Sequence, residues 1–106
     1  MLFIELSPFV EFRTKHWNDE DLRALQSRLL AQPDAGEVIR GGSGLRKLRW
    51  SAPGRGKTGG ARVICYRHVP GERIYLVYAC AKNVKDGLTR EQVKALANLM
   101  KDIVDG

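Results

Sequence analysis

Lys47, Arg49, Arg62 and Lys82 are the residues of this chain whose types and spacing suit chemistry on a phosphodiester. In Leu45-Arg46-Lys47-Leu48-Arg49-Trp50, strand alternation puts Lys47 and Arg49 on one face and Leu48 and Trp50 on the other. A second run, Arg62 to His68, sets Arg62 on the face of Ile64 and Tyr66. Lys82 ends the nearly continuous apolar run Ile74 to Ala81, the pattern of a strand covered on both sides. A meander of these three strands brings the four cations together. Cleaving RNA without a metal requires activating a ribose 2′-hydroxyl, stabilising a phosphorane-like transition state and protonating the leaving 5′-oxygen. Arginine suits the second task, because its planar fork holds phosphate oxygens bidentately. Lysine suits the first or third when crowding or burial disfavours its charged form. Tyr66, or His68 at the strand end, can stack on a base or move a proton. Phosphate binding alone would use the same cations, so residue chemistry leaves both readings open.

Charge points to the same region. Between Glu37 and Glu72 the chain has no acidic residue but carries Arg40, Arg46, Lys47, Arg49, Arg55, Lys57, Arg62 and Arg67. Without those eight cations, ten basic residues face twelve acidic ones, so the stretch supplies the whole formal charge of +6 and more. Such a field attracts polyanions, with salt-dependent binding through counterion release. Gly54-Arg55-Gly56-Lys57-Thr58 ends like a phosphate loop, but Ser51 stands where that motif needs a glycine, and a strand rather than a helix is expected to follow. Cys65 and Cys80 sit in apolar runs without Cys-x-x-Cys spacing and read as buried free thiols. His16 and His68 form no ligand or triad signature. No cofactor or metal is called for.

The elements that must position the cations are legible in outline. At 106 residues, one domain spanning 1–106 is the expectation. Leu2 to Leu6 reads as a strand, and Ser7-Pro8 as the start of a short helix to about His16, with serine as its cap. Asn18 caps a second helix to about Ala31, with Asp19, Glu20 and Asp21 at its positive end, Trp17 placed to staple onto Leu22, and a stripe of Leu22, Leu25 and Leu29. Pro53 to Gly60 reads as a hairpin loop. Thr89 and Gln92 form a capping box, with Leu88 placed to staple onto Val93, before a helix whose apolar face is Val93, Leu96, Ala97, Met100, Ile103 and Val104. The order β-α-α-β-β-β-α describes an α+β fold with a small antiparallel sheet. No run approaches the roughly 20 apolar residues needed to span a membrane. The N-terminus shows no leader pattern, so a cytoplasmic address is expected.

Several segments resemble the RelE/ParE superfamily of type II toxins, and within it the HigB2-like branch. They are Gly44 to Trp50, Pro53 to Gly60, Arg62 to Tyr66, Tyr78 to Asn83, and Leu88-Thr89-x-Glu91-Gln92. The resemblance implies a RelE-like fold and a toxin that enters the ribosomal A site, cleaves mRNA by metal-independent 2′-oxygen attack, and is neutralised by a cognate antitoxin. It places Lys47 and Arg49 as the paired cations of the basic strand, Arg62 as the transition-state arginine and Lys82 as the basic residue closing the last strand. Arg46, Arg55, Lys57, Tyr66 and His68 are then candidate RNA contacts. Two departures stand out: Asn83 and Thr89 occupy positions where the best-known ribosome-dependent members have an arginine and a tyrosine. Without that tyrosine the proton acceptor has no assignment. The competing reading is a non-catalytic toxin, either a ParE-like gyrase inhibitor or a ribosome-blocking protein, although members of the gyrase branch generally lack this cation set.

Overall fold

The computed structural model describes residues 1–51, 60–81 and 88–105. Among these residues eight elements follow one another: β1 (Leu2–Glu5), α1 (Ser7–His16), α2 (Asp19–Ala31), β2 (Glu37–Val38), β3 (Leu45–Ser51), β4 (Gly60–His68), β5 (Arg73–Ala81) and α3 (Arg90–Asp105). The fold is α+β, as expected. Most of the predicted loop Pro53–Gly60, with Arg55 and Lys57, and also Lys82 and Asn83, lie outside the described residues.

The helix starts follow local chemistry with one exception. Asn18 accepts from the Asp21 amide at 2.8 Å while the Asp21 carboxylate accepts from the Asn18 amide at 3.0 Å, a reciprocal box that also explains why Asp21 is buried. Thr89 and Gln92 repeat the arrangement at the start of α3, at 2.9 and 3.1 Å. At α1 the cap is Leu6 rather than the expected Ser7, and no side chain bonds the first turn. Ser7 already lies inside the helix, and the Leu6 amide is bound to the Leu76 carbonyl at 2.9 Å, so the sheet fixes the entry to α1.

The sheet order is β1-β5-β4-β3-β2. β3, β4 and β5 form the anticipated antiparallel meander, but the sheet is mixed, because β1 joins β5 in parallel, with Leu2 opposite Arg73 and Glu5 opposite Leu76. That pairing links chain segments some seventy positions apart, and no local pattern announces it. β2, a two-residue strand the periodicity did not reveal, lies antiparallel to β3 at the far edge.

Both faces of the sheet are covered. On one, Phe9 of α1 and Leu25 and Leu29 of α2 pack with Leu48, Val63, Cys65, Ile74, Leu76 and Ala79, and Phe3, Phe12, Trp17, Leu22 and Trp50 close the margin. Trp17 bridges the helices to the sheet, with its ring centre 5.8 Å from Phe9 and 4.9 Å from Trp50. On the other, Ala97 and Met100 of α3 meet Leu45, Ile64, Tyr75 and Val77. Ile103 is more exposed than its place in the expected apolar face implied, at 39%. A bulge opposite Ile64 and Cys65 resets the alternation of β5, so Val77 and Tyr78 both belong to the α3 side while Leu76 and Ala79 face α1 and α2.

The approach of β2 to β3 depends on one glycine. Gly36 has a φ of +97°, and a Cβ there would sit 2.6 Å from the Lys47 carbonyl oxygen. Gly36→Ala is expected to destabilise the fold by more than about 1 kcal/mol, through left-handed strain and this backbone clash. Urea denaturation measures it; an unchanged midpoint would refute the close approach.

Candidate functional site

The β3–β4 register assembles the cationic centre. Arg49 stands directly opposite Arg62, and Lys47 opposite Ile64. Directly paired residues share a face, so Lys47, Arg49 and Arg62 project from the side that carries α3. Like charges opposed across a strand pair work against stability. Beside them is a hollow of about 310 Å³ lined by Arg49, Trp50, Ser51, Gly60, Ala61 and Arg62.

Cys80 completes this row, opposite Arg62 on β5. Burial raises its thiol pKa, and the positive charge of Arg62 opposes the rise, which places that guanidinium within electrostatic reach of the sulfur. Cys65, on the other face, is pushed up to about 11 by burial, with Arg46 opposing more weakly. Both cysteines are free, as the sequence indicated, but only Cys65 is buried as expected; Cys80 is half-buried.

The structure divides the other candidates. Arg46 alternates to the opposite face, where its Nη1 donates to the carbonyls of Asp34 at 3.1 Å and Gly36 at 3.4 Å. Arg67 donates to both carboxylate oxygens of Asp34 at 3.0 Å. These two arginines of the basic stretch therefore pin the turn that leads into β2. Tyr66 is half-buried under α3, with its ring against Gly44 and 6.4 Å from that of Tyr75. It lies four residues along β4 from Arg62, roughly 13 Å away. His68 is farther still, roughly 20 Å along the same strand, and its Nδ1 is buried beside Gly71. Neither is brought to the Arg49–Arg62 pair. Thr89 caps α3, which gives that departure from the family pattern a local structural use.

One residue that sequence reasoning passed over stands at the patch. Glu37 of β2 lies directly opposite Lys47. The turn residues before it were a visible signal, but a two-residue strand has no periodicity to read.

A mixed sheet clasped between two N-terminal helices and a C-terminal one, with arginines opposed on its α3 face, defines a RelE-like α+β toxin fold. The family model described as RelE toxin of RelE / RelB toxin-antitoxin system matches residues 10–105, and the chain belongs to that family. Its members pair with an antitoxin, so the protein has the role of a toxin in such a pair. Among the described residues no helix is long and apolar enough to cross a membrane.

The cysteine environments make a direct prediction. With iodoacetamide at pH 8, Cys80 is expected to be alkylated well before Cys65, because the thiolate of Cys65 forms only near pH 11 and its sulfur is enclosed. Peptide mass spectrometry of the native protein reads the order; Cys65 reacting first would contradict the packing.

Proposed function

We propose that this toxin is a ribosome-dependent mRNA endonuclease of the HigB2-like branch that cleaves message in the A site by metal-independent attack of a 2′-oxygen. The observation that carries the reading is the opposition of Arg49 and Arg62 across β3 and β4. Two guanidinium groups on neighbouring strands suit the non-bridging oxygens of one phosphate, where their charge counts most as the transition state gains negative character. Lys47 lies one pleat away on the same face, in reach of a proton on the ribose or on the leaving oxygen. Lys82 keeps its proposed place as a second proton-transfer cation. Arg55 and Lys57 remain candidate contacts to ribosomal or messenger RNA.

Atoms balance without a cofactor. The 2′-oxygen loses its proton to a base and bonds to phosphorus. The bond from phosphorus to the 5′-oxygen breaks, and that oxygen leaves with its electron pair and takes up a proton. The products are a 2′,3′-cyclic phosphate and a free 5′-hydroxyl.

Arg62→Ala is expected to abolish growth arrest and to slow mRNA cleavage on programmed ribosomes by roughly 100-fold or more, as for loss of one charge-stabilising donor. Circular dichroism and melting of the variant, measured alongside, separate a catalytic defect from a folding one. Undiminished cleavage by the variant would sink the assignment. Translation arrest with intact message, or DNA damage on induction, would instead support the non-catalytic reading.

A further inference from the structure

We propose that Glu37 is the proton acceptor of the cleavage step, an inference that rests on the nuclease reading above. Only two residues of the described strands are carboxylates, and the fold treats them oppositely. Glu5, opposite Leu76 on the face of α1 and α2, is tied to Arg13 of α1. Glu37 is exposed and stands opposite Lys47. Ile39, two residues on, packs into the α3-side cluster, so Glu37 projects towards that side as well.

The fold fixes the backbone leading to this residue from the opposite face. Arg46 binds the carbonyls on either side of Ala35, Arg67 clamps the Asp34 carboxylate, and Gly36 rests against the Lys47 backbone where any side chain would collide. Three separate features thus fix the turn that delivers Glu37 to β3. A two-residue strand at a sheet edge has little pairing of its own to justify that investment.

The spacing fits the chemistry. Cβ atoms of directly opposed residues lie about 5 Å apart, so the Glu37 and Lys47 side chains leave the sheet as neighbours. Arg62 is two strands over and one pleat along, on the order of 12 Å between Cα positions. A ribose with its 3′-phosphate spans such a gap, with the phosphate against Arg49 and Arg62 and the 2′-hydroxyl turned to Glu37. In this arrangement a Glu37 oxygen takes the 2′-proton as the 2′-oxygen bonds to phosphorus. Lys47 gives a proton to the departing 5′-oxygen. Proton return from the carboxylic acid to the neutral amine across the strand pair then restores both groups, with nothing supplied from outside.

The test is single-turnover cleavage of mRNA on programmed ribosomes by wild type, Glu37→Gln and Arg62→Ala, with ribosome affinity measured in parallel. Glu37→Gln preserves shape and removes the basic oxygen. Its maximal rate is expected to fall roughly 10²- to 10⁴-fold, the usual range for general acid–base groups, with affinity within about twofold because no phosphate-binding cation is lost. Glu37→Ala should regain part of the lost rate with added formate, which a merely structural role would not allow. An unchanged rate for Glu37→Gln while Arg62→Ala is inactive would overturn the Glu37 assignment and leave the nuclease reading intact. A Glu37→Gln defect confined to affinity would overturn it too. Absence of cleavage by the wild type would overturn both.

Discussion

The structure depends on the register between β3 and β4. Because strand side chains alternate, that one alignment decides which cations face α3 and which face α1 and α2. Arg49 opposite Arg62 follows from it, as does Leu48 opposite Val63 in the core behind them. Burial of Leu48 and Val63 on one face and of Leu45 and Ile64 on the other makes a slip of one residue prohibitive, since it would drive Lys47 and Arg49 into the helices. Apolar packing on both sides therefore enforces the placement of charge between them.

The acid-free stretch is one feature in the sequence and two in the fold. Arg46 and Arg67 serve the framework, binding the turn before β2, while Lys47, Arg49 and Arg62 face the other way. A uniform count of basic residues conceals this division. It also hides the return of Glu37, which marks the boundary of the stretch in sequence and lies opposite Lys47 at the edge of the sheet.

What was legible in the chain was local. Asn18 with Asp21 and Thr89 with Gln92 announced their helices, because a cap needs only neighbours within a turn. The alternation of Leu45 to Trp50 gave the faces of β3 correctly, since both faces are packed or charged in strict order. Ser7 misled, because the cap it offered was made redundant by the hold of β5 on Leu6. The parallel pairing of β1, the bulge near Val77 and the strand at Glu37 were illegible for a shared reason: each is set by contacts between distant segments. Of the candidate residues, the arginines on the α3 face were accordingly readable, because they lie on long strands, and Glu37 was not, because it lies on a short one.

Arg46, Lys47 and Arg49 are close neighbours that differ in the side of the sheet to which they belong. A substitution at any one of them leaves the other two on their own faces. An insertion or deletion of one residue inside this strand would instead exchange their faces, sending the turn-binding arginine towards the α3 face and the α3-facing cations into the core. The chain thus encodes its chemistry in odd and even positions as much as in residue identity. Drift in strand length is barred here more strictly than drift in composition.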